Sequence, residues 1–221
     1  MKNRFDHLVF CSTTLNEGID YIHKVLGVEI PVAGVHTKMG THNAVMKLND
    51  NTYFEIIAID PNQGPPDRPR WFSMDNSSDR LATLNHPRLI TWVVNTSSLD
   101  ECIRRSSYPY PAGFPMSRET KNGRLEWLIT VAEDGTLPAG GLLPTLIQWK
   151  SPHPAAHMPE LGCRLESITI FHHNTSWLAA HLESINCHEF VTLIKLPANS
   201  APYFEVVIRS PKGMTTLRSA Y

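Results

Sequence analysis

The sequence has no surplus of one charge. Its 20 Lys and Arg residues nearly balance 21 Asp and Glu residues, which leaves a formal net charge of -1 at pH 7. A protein that grips a phosphate backbone needs a basic field over its surface. The near-neutral charge therefore predicts that nucleic acid is not a partner.

Long hydrophobic runs are also missing. Every apolar run breaks within about eight residues, whereas a helix needs roughly 18 to cross a bilayer. The apolar stretch near the start, from His7 to Ser12, is too short for the core of a signal peptide. We therefore expect a soluble cytoplasmic protein with no membrane partner.

Cysteines are few, and several familiar motifs are absent. The four cysteines lie far apart without a Cys-x-x-Cys pair, which indicates reduced thiols rather than disulfides or a zinc knuckle. The adjacent His172 and His173 would point to opposite faces of a strand, which argues against a late zinc site. Without a Walker loop, a GxGxxG fingerprint or a GxSxG elbow, nucleotide, dinucleotide and serine-hydrolase chemistry lack support.

An internal repeat is the most informative feature that is present. Residues 7–19 (HLVFCSTTLNEGI) align without gaps with residues 91–103 (TWVVNTSSLDECI). In both copies an apolar run ends in hydroxyl residues, and Thr14 or Ser98 stands three residues before a glutamate, the spacing of a capping box. The same strand-then-helix unit is therefore predicted to begin twice.

The segment after the first cap predicts a β-α-β-β-β module. Apolar residues recur at helical spacing over residues 14–26, and Gly27 stands where a left-handed C-cap would end the helix. A turn-rich stretch then precedes two apolar runs, 44–48 and 53–59, which an Asn-Asp-Asn turn separates as in a hairpin.

The same order of elements continues along the chain. Strands at 89–95, 124–131 and 142–150 with a helix from Leu99 repeat the pattern, and a more divergent copy has strands at 166–171, 189–196, 203–209 and 214–218 with a helix near 176–185. The predicted organisation is a first module over 1–60, a Pro-rich linker and short helix (71–84) over 61–87, a second module over 88–150, a Pro-rich connection over 151–164 and a third module over 165–221. These modules predict an α+β fold in which curved mixed sheets surround a cleft and helices lie outside.

Two polar residues stand out in otherwise apolar strands. Period-2 alternation places His7 on one face of the first strand with Phe5, Val9 and Cys11, and it places Glu55 among apolar residues of a later strand. A neutral imidazole and a carboxylate on rigid strands suit a divalent ion, or a base with its orienting partner. A buried hydrogen-bonded pair that only structures the core is the alternative.

Four segments carry a resemblance to a known family. They are Phe-Asp-His-Leu-Val-Phe at 5–10, Gly-Thr-His-Asn at 40–43, Tyr-Phe-Glu-Ile-Ile-Ala at 53–58 and Gly-Leu-Leu-Pro-Thr-Leu-Ile-Gln-Trp at 141–149. They resemble the glyoxalase-like branch of the vicinal oxygen chelate superfamily, closely from residue 5 to about residue 160 and loosely beyond. The resemblance implies a cleft for a small-molecule ligand and leaves a homodimer open.

In that superfamily a metal commonly lies between paired modules, ligated from the first and last strand of each. Carried over by position, the resemblance implies metal ligands at His7 and Glu55, with Thr91 and Gln148 at the matching positions of the second module. Threonine and a neutral amide are poor ligands for such ions. The implied cofactor, a divalent Zn, Ni, Mn or Fe ion, would therefore have only two good ligands in these positions.

Further residues are candidates for the site, each with a plainer alternative. His42 could bond a substrate carbonyl beside Asn43 or be a turn histidine, and His153 could be a lid residue or a linker side chain; either could also be a third metal ligand. Arg118 could clamp a substrate carboxylate or be a solvated charge, and Trp149 could be a pocket wall or core. The predicted catalytic residues are His7, Glu55 and His42, and the predicted substrate contacts are Asn43, Arg118, Gln148, Trp149 and His153.

The resemblance implies lyase, isomerase or dioxygenase-like chemistry on an oxygenated metabolite. The pair of His7 and Glu55 would bind a divalent ion or move a proton beside an enolisable carbonyl. A metal-free protein that binds or sequesters a small molecule in the same cleft is the alternative, and the weak ligands at 91 and 148 favour it. A third interpretation is an interaction module whose cleft is filled by its own side chains.

Overall fold

The computed structural model describes residues 3–76 and 86–219. Its helices are α1 Leu15–Leu26, α2 Leu99–Arg105 and α3 Thr175–Ser184. Its strands are β1 Asn3–Cys11, β2 Val32–His36, β3 Thr41–Asn49, β4 Thr52–Ile59, β5 Arg88–Thr96, β6 Gly113–Thr120, β7 Gly123–Thr130, β8 Thr145–Trp149, β9 Arg164–His172, β10 Thr192–Lys195, β11 Tyr203–Ser210 and β12 Gly213–Arg218. None of the described helices is long and apolar enough to span a membrane. Of the short helix predicted over 71–84, residues 71–75 form a bend and turns, and residues 77–84 lie outside the described residues.

The first eight strands form one sheet in the order β2-β3-β4-β1-β5-β8-β7-β6. Strands β1 and β5 are antiparallel, and each is parallel to the last strand of its own half, β4 or β8. The sequence repeat aligns His7 with Thr91 and Val9 with Val93, while strand pairing sets His7 opposite Val93 and Val9 opposite Thr91. When each residue is replaced by its repeat equivalent, the pair His7–Val93 becomes the pair Thr91–Val9. This is the relation that a pseudo-two-fold axis between β1 and β5 requires.

The sheet curves until its edge strands β2 and β6 approach each other, so that it nearly closes around its inner face. Alternate side chains of β1 point to the outer and the inner face of the sheet. Leu8 and Phe10 pack outward into the cluster that holds the helices, whereas Val9 and Cys11 pack inward. The predicted α+β fold, with a curved mixed sheet around a cleft and helices outside, is confirmed.

Helix α1 begins and ends at residues that the sequence specifies. Thr14 Oγ1 accepts the backbone N–H of Glu17, and the Glu17 carboxylate accepts the backbone N–H of Thr14, which completes the capping box. Gly27 ends the helix at a φ of 77°, a conformation that glycine adopts without steric cost. The buried face of the helix comprises Leu15, Gly18, Ile22 and Leu26.

Helix α2 is capped in a way that the sequence did not predict. The Ser98 side chain makes no capping hydrogen bond. Instead the backbone N–H of Leu99 donates to Oε1 of Gln148 at 3.1 Å, and Nε2 of Gln148 donates to the carbonyl of Ser97 at 2.9 Å. An amide from β8 therefore replaces the expected hydroxyl cap and fixes α2 to the outer face of the sheet.

Strand β6 was not predicted from the sequence. It contains Pro115, which lacks a backbone N–H, and its alternation of apolar residues is weak. The strand lies at the edge of the sheet, next to β7. An edge position tolerates proline because one side of the strand needs no ladder hydrogen bonds.

The third unit follows the predicted order of elements but pairs its strands differently. Its sheet runs β10-β9-β11-β12. The first strand, β9, lies parallel to β10 and antiparallel to β11, whereas β1 lies parallel to the last strand of its own unit. Ile168, Ile170 and Phe204 join the same apolar cluster as α1, so this unit packs on the outer face of the large sheet.

Candidate functional site

A small cavity lies on the inner face of the large sheet, where its two halves meet. Its volume is about 30 Å³, enough for one or two water molecules. His7 is 3% exposed and Glu55 is 6% exposed, so both side chains are nearly buried. The polar side chains that line it are His7, His36, Asn43, Tyr53, Glu55 and Arg118, and the aromatic walls are Trp71, Phe72, Trp127 and Trp149.

A β-bulge in β1 places Asp6 beside His7. Phe5 and His7 pair with two consecutive residues of β5, so that Asp6 is the extra residue between them. His7 lines the inner cavity, while Phe5 stacks on Trp92 in the outer cluster at 6.2 Å. The predicted shared face of Phe5 and His7 is therefore wrong, because the bulge shifts the alternation by one residue.

Asp6 holds His7 by one ring nitrogen. Oδ1 of Asp6 lies 2.6 Å from Nδ1 of His7, while Oδ2 accepts Nε1–H of Trp149 at 3.0 Å and lies 2.9 Å from Nε2 of His153. Nδ1 of His153 accepts the backbone N–H of Ala155, so its Nε2 carries the hydrogen and donates to Asp6. Burial opposes a charge on Asp6, but the hydrogen bonds from His153 and His7 outweigh it and lower the pKa of this carboxyl below 3.8. The ionised Asp6 therefore accepts Nδ1–H of His7 and leaves Nε2 toward the cavity.

Glu55 faces His7 and is tied to the second half of the sheet. Oε2 of Glu55 lies 3.6 Å from Nε2 of His7. Oε1 of Glu55 accepts Nδ2–H of Asn43 at 2.5 Å, and Oδ1 of Asn43 accepts from Nη1 of Arg118 at 3.3 Å. A carboxylate and a guanidinium thus fix the two ends of the Asn43 amide, which links β4 through β3 to β6.

Two other cavity residues are electrically neutral. Burial, together with the positive field of Arg118, lowers the pKa of His36 from 6.5 to about 3. Burial raises the pKa of Tyr53 well above 10, and the charges of Asp6 and Glu55 add to the effect. The Tyr53 ring stacks on His7 with 4.3 Å between ring centroids. Tyr53 therefore fixes the plane of the imidazole without contributing a charge.

The amino-acid sequence matches the model of the glyoxalase-like domain over residues 5–185. The chain belongs to the glyoxalase-like domain family. The predicted membership of the glyoxalase-like branch of the vicinal oxygen chelate superfamily is thereby confirmed. A search among curated proteins gives no match.

Solved structures are similar to this chain at low sequence identity. A hypothetical protein from Staphylococcus aureus is similar over 98% of this chain and 85% of its own, with 13% identity and a TM-score of 0.60. A methylmalonyl-CoA epimerase from Mycobacterium tuberculosis is similar over 69% of this chain and 91% of its own, with 17% identity and a TM-score of 0.41. A methylmalonyl-CoA epimerase in complex with methylmalonyl-CoA and NH4+ matches over 69% of this chain and 99% of its own, with 18% identity and a TM-score of 0.41.

In this glyoxalase-like chain, strand register identifies the counterpart of Glu55 in the second half. Val9 lies beside Glu55 in the parallel pair of β1 and β4, and its repeat equivalent Val93 lies beside Thr145 in the parallel pair of β5 and β8. Thr145 therefore occupies the place of Glu55. The resemblance-based assignment of that position to Gln148 is wrong, because the Gln148 side chain points outward and caps α2.

The donors do not fit the metal that the superfamily implies. His7 and Glu55 supply one nitrogen and one carboxylate, while the matching positions in the second half hold Thr91 and Thr145, which carry only hydroxyl groups and do not line the cavity. Within residues 3–76 and 86–219, no group of three or more His, Cys, Asp or Glu side chains is placed to hold a metal ion. Catalytic zinc takes three protein ligands, and non-heme iron takes two histidines and a carboxylate.

Two further predicted site residues stand apart from the cavity walls. His42 neighbours Asn43 on β3 but points to the opposite face, where its Nδ1 lies 4.0 Å from Oδ1 of Asp60. His153 does fold inward, as a lid residue would, but it ends on Asp6 rather than in the cavity. Neither lines the cavity, so a direct contact with a bound molecule is not supported for them.

The structure brings together most of the predicted residues and adds three. His7, Asn43, Glu55, Arg118 and Trp149 all line the cavity. The residues that the sequence analysis missed are Asp6, His36 and Tyr53. Tyr53 could have been found, since alternation places it on the face of Glu55, whereas Asp6 reaches His7 only through the bulge.

Proposed function

We propose that this glyoxalase-like protein is a lyase- or isomerase-type enzyme that moves a proton beside the carbonyl of a small oxygenated metabolite. The observation that carries the proposal is the 3.6 Å between Nε2 of His7 and Oε2 of Glu55 on the wall of the inner cavity. One of these two side chains can remove a proton from a carbon of the bound molecule, and one can return a proton to a neighbouring atom of that molecule.

His7 has the arrangement of a general base. Its Nδ1–H is held by the buried carboxylate of Asp6, so the lone pair of Nε2 faces the cavity. When Nε2 takes a proton, the negative charge of Asp6 stabilises the resulting imidazolium. Trp149 and His153 hold Asp6 in place, which keeps the ring in one orientation.

Glu55 stands on the same wall as His7. Asn43 occupies Oε1, so Oε2 is the atom free to receive or return a proton. Because β1 and β4 are neighbouring strands, both groups approach a bound molecule from one side. This placement supports proton removal and return on the same face, as in an isomerisation or elimination, rather than inversion at a carbon, which needs groups on opposite faces.

The proposed proton transfer needs only the side chains of the chain itself. With only two strong metal donors, and with threonines at the matching positions of the second half, the site does not fit a catalytic metal ion, and no step depends on one. Proton exchange should therefore persist after extensive treatment with a chelator. A loss of exchange on chelation that zinc or manganese restores would contradict the metal-free assignment.

Hydrogen–deuterium exchange tests the proposal without knowledge of the natural substrate. Hydroxyacetone and pyruvate each carry hydrogens beside a carbonyl, and their replacement in D2O is followed by proton NMR. We expect the protein to accelerate exchange of at least one probe over buffer, and we expect Glu55→Gln and His7→Asn to abolish the acceleration. No acceleration with either probe, or full activity of both variants, would overturn the proposal and favour the binding protein.

A further inference from the structure

A larger pocket opens outside the inner cavity. Its volume is about 460 Å³, far more than the 30 Å³ of the cavity. Four residues line both spaces, namely Val45, Arg118, Pro154 and Met158. Arg118 is the charged residue of the four, so a guanidinium stands at the junction. Only the reacting end of a metabolite fits the inner cavity, and the remainder has room in the outer pocket.

The charges that line the outer pocket share one sign. Arg118, Lys121 and Arg124 line it together with His157, and no Asp or Glu is among its described lining residues. Arg124 forms ion pairs with Glu119 and Glu126, which offset its charge in part. The pocket therefore presents a positive potential to an entering molecule.

Arg118 differs from Arg124 because no carboxylate of the described residues forms an ion pair with it, and Glu55 reaches it only through the Asn43 amide. Its described hydrogen bond goes to the neutral amide oxygen of Asn43 at 3.3 Å. Among the residues that the structure describes, none places a carboxylate oxygen within 4.0 Å of it. The side chain is partly buried, and a cation removed from water is normally paired with an anion. The missing partner points to an anionic ligand.

Gly34 on β2 makes room for this guanidinium. A Cβ atom built on Gly34 would overlap Nη1 of Arg118. The backbone of Gly34 does not have a positive φ, so alanine fits the local conformation and only the space is at issue. The absence of a side chain at Gly34 therefore leaves open the space that the Arg118 guanidinium occupies.

We propose that the substrate carries an oxyanion group, a carboxylate or a phosphate, which Arg118 binds at the junction of the inner cavity and the outer pocket. Gly34 then determines specificity by leaving space for the guanidinium. The planar guanidinium offers parallel N–H donors to two oxygens of such a group. The inference rests on the proposed function only in placing the reacting carbon of the same molecule beside His7 and Glu55.

Calorimetric titration with simple anions tests the oxyanion site. The probes are malonate, inorganic phosphate and malonamide, a neutral analogue of malonate. We expect malonate or phosphate to bind and malonamide to bind at least about tenfold more weakly, since it lacks charge-assisted hydrogen bonds. Whichever of the two anions binds more tightly shows whether the oxyanion group of the substrate is a carboxylate or a phosphate. Equal binding of malonamide, or no binding of either anion, would overturn the inference.

A matched pair of glycine variants tests the role of Gly34. Gly34→Ala should weaken binding of the anion about tenfold by displacing the guanidinium, whereas Gly64→Ala should not, since a Cβ there meets nothing within 4 Å. Circular dichroism and thermal melting of both variants check the fold. If the two variants bind alike, or if Gly34→Ala is the tighter binder, Gly34 has no such role.

The same variants separate this inference from the proposed function. Gly34→Ala should raise the KM for exchange of pyruvate, an anion, by a larger factor than the KM for exchange of neutral hydroxyacetone. Glu55→Gln should lose exchange yet still bind malonate. Anion binding without exchange in the wild-type protein would refute the proton transfer alone, and exchange without a preference for anions would refute the oxyanion site alone.

Discussion

Replacing Asp6 by asparagine should leave the site folded but reverse the tautomer of His7. On the Oδ2 side, Asp6 meets two fixed donors, Nε1 of Trp149 at 3.0 Å and Nε2 of His153 at 2.9 Å. An asparagine must turn its carbonyl oxygen toward these two donors, so its NH2 group faces Nδ1 of His7, which lies 2.6 Å from Asp6 in the wild type. Nδ1 then accepts a hydrogen bond, and Nε2 carries the ring hydrogen.

A neutral imidazole that already carries a hydrogen on Nε2 cannot take a proton from a bound molecule. General acid–base groups contribute about 10²- to 10⁴-fold to a rate, so exchange by Asp6→Asn should fall by about that factor. In Asp6→Asn the contacts with His7, Trp149 and His153 each keep a hydrogen-bond partner. The free energy of unfolding should therefore change by only about 1 kcal/mol. Asp6→Ala would be less informative, because it leaves buried donors unsatisfied at about 1–3 kcal/mol each.

Proton exchange of hydroxyacetone measures the rate, and nitrogen-15 NMR of the imidazole ring reports the tautomer of His7. Trp149→Phe is the control, since it removes one donor to Asp6 but keeps the contact between Asp6 and Nδ1 of His7. The reasoning fails if Asp6→Asn exchanges at the wild-type rate. It fails equally if the rate falls while Nδ1 of His7 still carries the hydrogen.

Three further predictions follow from burial and contacts. Gln148→Ala should lower the free energy of unfolding by about 1 kcal/mol, through loss of the α2 cap, and should leave exchange unchanged, as denaturant titration and the exchange assay would show. Gly18→Ala should cost about 1–3 kcal/mol despite the better helix propensity of alanine, because its Cβ would overlap Ser12 and Ile56; an unchanged midpoint of urea unfolding would contradict this. In the unfolded chain His36 has its ordinary pKa of about 6.5, whereas in the folded protein the pKa of His36 is about 3. Stability should therefore fall as pH drops below about 6.5, by up to about 1.4 kcal/mol per pH unit, and His36→Gln should flatten that slope in unfolding measured at stepped pH. The lowered pKa of Asp6 acts in the same direction at lower pH, since its contribution is present above about pH 3.9 and is lost as pH falls through the folded pKa.

Local signals predicted the elements that depend on local contacts. The capping box at Thr14 and the glycine at Gly27 bound α1 as expected, because both act within one turn of the helix. The similar signal at Ser98 failed: the Ser98 side chain makes no capping hydrogen bond, and Gln148, distant in sequence, accepts the N–H of Leu99 at the start of the helix instead. A helix cap that comes from another strand leaves no pattern in the residues around the helix.

Register decided which site residues could be predicted. Alternation placed Glu55 and Val9 on the correct face of the sheet. An error of one position in the register, however, moves a predicted side chain from the inner face to the outer face. That is the reason for the error at Gln148, whose neighbour Trp149 is the residue that lines the cavity. The bulge at Asp6 has the same effect in β1, and nothing in the order of apolar and polar residues marks it.

The two halves of the sheet share a fold but supply unlike groups to one site. The first half carries His7 and Glu55, the pair that we propose exchanges protons, on β1 and β4. The second half has Thr91 and Thr145 at the matching positions, so a symmetric set of ligands between the halves is lost, while its edge strand β6 sends Arg118 across the cleft to Asn43. Divergence of the repeat thus supports a division of labour, with proton transfer on one half and recognition of charge on the other. The Asn43 amide connects the two, since it bonds Glu55 and Arg118 at once.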